Sequence, residues 1–201
     1  IIPNFNIISN ILSQGIPASI GMMMIAVGSY ILIYFVGIFG VEAIAGYTSA
    51  SRYEQLFFLP LLGLSTATVT IIGQNYGAKQ YERVLETYKK GIRIGVIVLS
   101  FLGLIIFLTA EMAMNLFTEN ENVKLYGSDY LKISALMFPA FPFFFIGNAT
   151  FQGLKRAIIV MYMAIMRFVL IPLILISIIF YQIGENYNLI FFSLAAMHWI
   201  I

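Results

Sequence analysis

Three ionisable residues lie inside long apolar stretches of this sequence, where a charge could take part in ion or ligand chemistry. They are Arg52, Glu54 and Arg167. A charged side chain at the centre of a bilayer costs about 2.5–3.5 kcal/mol or more, so such residues usually have a function. Gln55 follows Arg52 by three residues and therefore shares its helical face. We take Arg52, Glu54, Gln55 and Arg167 as candidates for ion coupling or gating.

Arg52 and Glu54 cannot pair with each other along one helix. Two helical positions turn through about 200°, which places these side chains on nearly opposite faces. Each charge must then find a partner on another helix, in a cavity or in water. We predict that Arg167 pairs with Glu54 and that the pair has a structural or gating role. Without that pair, Glu54 becomes a proton or cation site in its own right.

A second group of residues surrounds two prolines in a later apolar stretch. Prolines interrupt the hydrogen bonds of a span, and transporters place binding sites near broken helices. Candidates for lining a substrate cavity are aromatic and amide side chains from this region and one methionine from the first stretch: Phe141, Phe145, Asn148, Gln152 and Met24. For the methionine, packing or contact with lipid is the alternative. Hinges or kinks are predicted at Pro60, Pro139, Pro142 and Pro172.

The composition decides which elements must position these residues. Hydrophobic residues make up 61% of the 201 residues and charged residues 10%, whereas soluble domains are about half apolar and about a quarter charged. Several uncharged runs approach the ~20 residues that a membrane helix needs. The short alternating segments of a transmembrane β-barrel are not seen in the sequence. The chain is therefore predicted to be an all-α integral membrane protein in contact with lipids.

Five complete spans and one incomplete span can be placed along the chain. Their approximate bounds are 16–39, 41–72, 92–110, 130–154 and 157–183, and a sixth over 188–201 is too short for a full crossing. Residues 1–15 are predicted to be a cytoplasmic linker or short amphipathic segment, and residues 16–201 the transmembrane lobe. Pro17 is expected in the first helical turn. The spacing of Gly91 and Gly95 predicts a face of close helix packing.

Basic residues are distributed unequally between the two sets of loops. Two alternate loops hold seven of the eleven Lys and Arg residues: Lys79, Arg83, Lys89, Lys90, Arg93, Lys155 and Arg156. The intervening loops are mainly acidic: Glu42, Glu111, Glu119, Glu121, Asp129 and Glu185. Because positive residues mark the cytoplasmic side, residues 73–93 and 153–157 are predicted to be cytoplasmic, in a plasma or inner membrane. Residues 79–90 are predicted to form an amphipathic connector on the bilayer surface.

Several function classes find no support in the residue types. The chain holds no Cys and a single His, His198, so we expect no metal site. Neither H-E-x-x-H nor a paired Asp or nucleophile–His arrangement occurs, and we expect no enzyme. The segment GQNYGAK, from Gly73 to Lys79, lacks the spacing of a phosphate-binding loop. The formal net charge of +2 gives no indication of a nucleic acid partner.

Ordered motifs along the chain resemble one transporter family. The segment Ala43–Val84 contains RYEQLFFLP followed by GQNYGA and a basic helix, and NLFTENENV and FQGLKR follow further on. This order is similar to the second lobe of multidrug and toxic compound extrusion (MATE) transporters. The resemblance covers essentially the whole chain. It implies half of a twelve-helix transporter of two six-helix lobes, with the last helix truncated.

The resemblance also implies a function and partners. Such a transporter is an antiporter that exports amphipathic or cationic compounds in exchange for H⁺ or Na⁺, without another cofactor. The expected partners are the small-molecule substrate and the missing N-terminal lobe of the same polypeptide. Some branches of the family carry a carboxylate in the seventh helix, but the span 16–39 has none. The coupling carboxylate is then expected in the first lobe.

An alternative of the same two-lobe architecture is a flippase for lipid-linked precursors or a polysaccharide exporter. A flippase of this kind usually needs a strongly cationic central cavity for pyrophosphate. Within the spans only Arg52 and Arg167 could supply that charge. The small number of buried cations favours the antiporter.

Overall fold

A computed structural model describes residues 5–182 and 186–200, without the side chains of residues 179–182 and 200. Several predicted features lie outside the described residues: the first four residues of the linker, the end of the fifth span at residue 183, Glu185, and the final residue of the sixth span. Every regular element in the described ranges is helical. This confirms the all-α class.

Eight α-helices follow one another in the described residues. They are α1 (Phe5–Val36), α2 (Val41–Gly77), α3 (Tyr81–Phe117), α4 (Glu121–Met137), α5 (Phe141–Gly153), α6 (Ala157–Ile165), α7 (Ile171–Gln182) and α8 (Tyr187–Ile200). Short 3₁₀ turns occupy Gly37–Phe39 and Phe138–Ala140, and a π turn occupies Met166–Leu170. Within the part of the chain that the structure describes, five segments are long and apolar enough to cross a membrane: Phe5–Phe39, Val41–Gly77, Tyr81–Phe117, Glu121–Gly153 and Ala157–Ile178.

The start of the first helix differs from the prediction. Helix α1 begins at Phe5 and includes Pro17 in its interior, so Pro17 is not in the first turn as predicted. A proline inside a helix removes one backbone hydrogen bond, to the carbonyl four residues earlier. That carbonyl belongs to Ser13. The hydroxyl of Ser13 donates a hydrogen bond to the carbonyl oxygen of Asn10 at 2.9 Å. Ser13 and Asn10 are therefore part of a helix that leads directly into the span.

The amphipathic segment after residue 79 is also continuous with a span. Helix α3 has 37 residues and runs from Tyr81 to Phe117 without a break. At ~1.5 Å per residue it is ~55 Å long, which exceeds the ~30 Å hydrocarbon core. Glu86 and Lys90 form an exposed ion pair of 2.7 Å on its first turns. The segment is therefore the polar extension of the third span and not a separate surface helix.

Small residues on α3 allow close packing in the centre of the bundle. Gly91, Gly95 and Gly103 are all buried. A Cβ on Gly95 would lie 2.8 Å from Cβ of Pro142, and one on Gly103 would lie 2.8 Å from the carbonyl oxygen of Ala135. Such distances leave no room for a side chain. The predicted packing role of the Gly91–Gly95 pair is therefore confirmed, and Gly103, two turns further along the helix, continues the packed face.

Helix α2 lies at the centre of the bundle and packs against α3, α4 and α5. It begins after Gly40, whose φ of 103° is a conformation that favours glycine. The core around it contains fully buried side chains from several helices, among them Leu61, Leu99, Leu131, Phe138 and Phe191. Helix α1 packs mainly against α6 and the π turn.

Two turns at one end of the bundle have the same geometry. Lys79 after α2 and Lys155 after α5 have φ values of 59° and 58°. In both turns the next residue's N–H closes the helix end: Gln80 donates to Asn75 and Arg156 donates to Phe151, each at 2.8 Å. These are Schellman-type ends, in which glycine is the usual residue. The helices that precede the two predicted basic loops, α2 and α5, therefore end in the same type of turn.

The opposite end of the bundle is tied by the loop between α3 and α4. The Asn120 side chain caps α4 by accepting from the N–H groups of Asn122 and Val123. The amide groups of Asn120 and Asn122 donate to the two carboxylate oxygens of Glu42 at 3.0 and 2.8 Å. Glu42 lies in the first turn of α2. Glu42 therefore ties the start of α2 to the loop and the first turn of α4.

Candidate functional site

Glu54 is a buried carboxylate at the contact between α2 and α4. Its side chain is 6% exposed. One carboxylate oxygen accepts a hydrogen bond from the Tyr130 hydroxyl, and the other accepts one from the Ser134 hydroxyl. Tyr130 and Ser134 are four residues apart on α4, so they share one face. The Tyr130 ring is held edge-on against Tyr47, with a centroid distance of 4.9 Å.

Arg167 is buried in a different way. Its side chain is 2% exposed and lies in the π turn between α6 and α7. Its guanidinium lies over the ring of Phe144, 4.7 Å from the centroid. The Nε and Nη2 atoms are buried without a hydrogen-bond partner. An aromatic face attracts the cation but leaves its N–H groups unsatisfied.

The π turn that carries Arg167 precedes Pro172, the second residue of α7. Proline lacks the N–H that would bond the carbonyl four residues earlier, here that of Phe168, and its ring crowds that carbonyl. The Phe168 carbonyl faces helix α1, where a Cβ on Gly28 would lie 2.6 Å from its oxygen. π turns are rare and are often found at functional sites. The π turn is therefore a second indication, besides the buried charge, that Arg167 has a function.

The predicted ion pair between Glu54 and Arg167 is not formed. Both residues are described, and no ion pair within 4.0 Å joins them. The carboxylate of Glu54 is occupied by hydroxyl donors from α4, and the guanidinium of Arg167 is held by an aromatic ring of α5. The prediction was wrong because sequence spacing shows which face a charge occupies but not which helix covers that face.

Glu54 and Arg167 nevertheless line the same cavity. This inner cavity has a volume of about 200 Å³ and is also lined by Phe141 and His198. The centroids of the His198 and Phe141 rings are 5.2 Å apart, and Nδ1 of His198 lies 2.7 Å from the carbonyl oxygen of Leu194. The tertiary structure thus brings a carboxylate, a guanidinium and an imidazole to one space inside the lobe.

Arg52 and Gln55 lie on the outside of this lobe. Both are exposed, whereas Glu54 between them is buried. The predicted separation of Arg52 from Glu54 around the helix is therefore confirmed. Neither Arg52 nor Gln55 lines the inner cavity.

A larger cleft lies between α1, α2, α5 and α6. Its volume is about 530 Å³, and three of the predicted lining residues, Phe145, Asn148 and Gln152, line it. Asn148 is 9% exposed, and its Oδ1 has no hydrogen-bond partner. Phe141 lines the inner cavity instead. Met24 lines neither space; the neighbouring Met22 lines the cleft.

The four prolines singled out occupy different positions. Pro139 lies in the 3₁₀ turn that interrupts the fourth span, so the predicted break is present there. Pro142 is the second residue of α5, and Pro172 is the second residue of α7. Pro60 is exposed in the interior of α2, which continues through it.

Three residues of the site were not predicted from the sequence: Tyr130, Ser134 and the cavity-facing His198. The spacing of Tyr130 and Ser134, two polar groups one turn apart in an apolar span, was a usable indication. In the described part of the chain, no group of three or more His, Cys, Asp or Glu side chains could hold a metal ion.

The family model named MatE matches residues 17–178, which is most of the chain. The chain belongs to the MatE family. Its resemblance to MATE transporters is thereby confirmed, and the protein is a multi-pass membrane protein of a transporter family. The match overlaps all five complete spans predicted from the sequence.

Curated relatives of this MatE chain are named as multidrug resistance proteins. The probable multidrug resistance protein NorM of Thermotoga maritima is 29% identical over 154 residues, which cover 77% of this chain and 32% of that protein. The probable multidrug resistance protein YpnP of Bacillus subtilis is 27% identical over 148 residues, covering 73% and 32%. The chain thus spans about a third of the length of these relatives.

Solved MATE structures have the same fold. A crystal structure of MATE in complex with MaL6 superimposes with a TM-score of 0.92 at 22% identity, covering 99% of this chain and 45% of that one. A MOP superfamily transporter from Pyrococcus furiosus gives a TM-score of 0.93 at 23% identity, again covering 99% and 45%. This MatE chain therefore has the architecture of one lobe of these transporters.

Proposed function

We propose that this chain is the second lobe of a secondary active transporter that exports amphipathic or cationic compounds in exchange for H⁺ or Na⁺. The other lobe of the same polypeptide would complete the transport pathway, since such sites form at the interface between repeats. The lobe acts by binding and conformational change, without catalysis of a chemical reaction.

The observation that carries this proposal is the environment of Glu54. A carboxylate in the interior of a membrane is costly and is retained mainly for ion or substrate handling. Without Arg167 as a partner, Glu54 is available to exchange a proton or a small cation. Tyr130 and Ser134 position both of its oxygens from α4. Glu54 therefore becomes the coupling candidate of this lobe.

The cleft supports the substrate part of the proposal. Its volume of about 530 Å³ falls within the range of about 300–1,000 Å³ typical of small-molecule sites. Apolar side chains such as Met22, Leu62 and Phe145 line it together with Asn148 and Gln152. Mixed walls of this kind suit amphipathic compounds, and the unpaired Oδ1 of Asn148 suits an N–H donor.

The orientation follows from the positive-inside rule. The turns at Lys79 and Lys155 belong to the same end of the bundle, because Gly73 near the end of α2 approaches the carbonyl of Gly153 at the end of α5. We place residues 73–93 and 153–157 on the cytoplasmic side of the cell membrane. Glu42 and its partners Asn120 and Asn122 would then face outward.

Substitution of Glu54 tests the coupling role. In full-length protein reconstituted into liposomes, Glu54→Gln should reduce substrate flux driven by a proton or sodium gradient to the leak rate of empty liposomes. The amide keeps the size of the side chain but removes its ionisation. Flux is measured separately with each gradient, which also identifies the ion. The matched control is Glu86→Gln, which alters an exposed carboxylate on α3. Wild-type flux in Glu54→Gln under either gradient would contradict the coupling role of Glu54.

A further inference from the structure

Arg167 is a buried cation whose charge is not balanced by any carboxylate in the described residues. The ion pairs of those residues join Lys90 to Glu86, Lys124 to Glu121 and Lys132 to Glu111. Glu54, on the wall of the same cavity, already accepts from two hydroxyl groups. Burial of an unpaired cation is costly unless a partner is supplied. The Arg167 guanidinium therefore lacks a hydrogen-bond acceptor for its Nε and Nη2 groups in the described residues.

The space next to Arg167 can hold a small acidic group but not a whole drug-sized molecule. The inner cavity measures about 200 Å³, which is below the usual range of about 300–1,000 Å³ for ligand pockets. Most of its remaining wall is apolar, for example Leu32, Met137 and Phe168. In such surroundings a carboxylate would find its strongest partner in the guanidinium.

The inner cavity and the cleft are neighbours. Ile25 of α1 lines both spaces. Phe144 lines the cleft and also carries the guanidinium of Arg167 on its ring. Ile25 and Ser29, which both line the inner cavity, are exposed on α1. The cleft and the inner cavity therefore adjoin at Ile25 and Phe144, which is the side from which an acidic group of a ligand in the cleft would approach Arg167.

We propose that Arg167 binds the carboxylate of amphipathic ligands whose apolar body occupies the cleft. The inference rests on the proposed transport function, because it names a chemical class among the compounds that the lobe would handle. The planar guanidinium offers N–H groups in a fork that matches both oxygens of a carboxylate. Its unpaired Nε and Nη2 atoms are the donors available for that contact.

A pair of matched probes tests the inference on full-length protein in detergent. One probe is a rhodamine dye with a free carboxylate, and the other is the methyl ester of the same dye. Fluorescence polarisation should show tighter binding of the acid to the wild type. Arg167→Gln should weaken binding of the acid by about 10- to 100-fold, the equivalent of a hydrogen bond to a charged group. Binding of the ester should change less than about twofold.

Two further variants sharpen the result. Arg167→Lys keeps the charge without the fork and should restore part of the affinity for the acid. Arg93→Gln removes an exposed cation of α3 and should leave the affinities for both dyes unchanged. The comparison of acid with ester on the wild type needs no substitution, so it holds even if an Arg167 variant folds poorly.

The possible results distinguish failure of the inference about Arg167 from failure of the proposed transport function. Equal affinity of the wild type for acid and ester overturns the inference, as does an equal loss of both in Arg167→Gln. Ion-driven transport of the ester in liposomes, without preference for the acid, overturns the inference and leaves the proposed function intact. Acid binding that depends on Arg167, without ion-driven transport of either dye, supports the inference and contradicts the proposed function.

Discussion

Glu54 and Arg167 are both charged, both buried and both on the wall of one cavity, yet their surroundings differ. Glu54 has a hydroxyl donor for each oxygen. Arg167 has an aromatic ring and two N–H-bearing nitrogens without partners. The carboxylate lies on a regular helix, whereas the guanidinium lies in a π turn. The difference separates a carboxylate held by two hydroxyl donors from a guanidinium whose N–H groups have no protein acceptor.

The largest effect should come from removal of both donors to Glu54. Tyr130→Phe and Ser134→Ala should each lower the free energy of unfolding by about 1–3 kcal/mol, because a buried acceptor loses its partner. The double variant should be less stable than either single variant. Thermal unfolding of the full-length protein in detergent measures this. In a Glu54→Gln background the losses should become smaller; unchanged losses would show that the hydroxyl groups matter for other reasons.

A smaller effect is expected from crowding the π turn that carries Arg167. Gly28→Ala places a Cβ 2.6 Å from the Phe168 carbonyl oxygen, and the backbone must shift at a cost of about 1–3 kcal/mol. The resulting displacement should weaken binding of the carboxylate dye while the Glu54 site remains intact. The control is Gly63→Ala, where a Cβ meets nothing within 4 Å. Equal unfolding temperatures for the two variants would argue against the close contact.

The smallest expected effect is the interaction energy between Glu54 and Arg167. Because no ion pair joins them, the interaction energy between Glu54→Gln and Arg167→Gln in the free energy of unfolding should stay below about 1 kcal/mol, the low end for residues that share a cavity. A double-mutant cycle measures the difference. A direct buried pair would instead make the double variant much less damaged than the sum of the singles. An interaction well above that limit would show that the charges meet in another conformation.

Much of the fold follows from the sequence. Long uncharged runs predict the membrane helices, Pro139 predicts the break in the fourth span, and Gly91 with Gly95 predicts a packed face. The separation of Arg52 from Glu54 follows from helical geometry alone. These features depend on residues close together in the chain or on a composition that only one environment accommodates.

The boundaries of the helices were less predictable. Pro17 was expected to begin a helix but lies within one. Residues 79–90 were expected to form a separate connector, but α3 continues from Tyr81 through the span. In both cases the local pattern allows a helix to end, but the helix continues through a segment whose side chains are mostly exposed.

The sequence by itself determined that this protein is a bundle of membrane helices with three charges inside its spans and that Glu54 faces away from Arg52. Only the tertiary structure decided that Glu54 meets Tyr130 and Ser134, and that Arg167 lies over Phe144 with unsatisfied N–H groups. The physical reason is that helical periodicity fixes the direction of a side chain around its own axis. The partner in that direction depends on how whole helices pack, which residues far apart in the chain determine together.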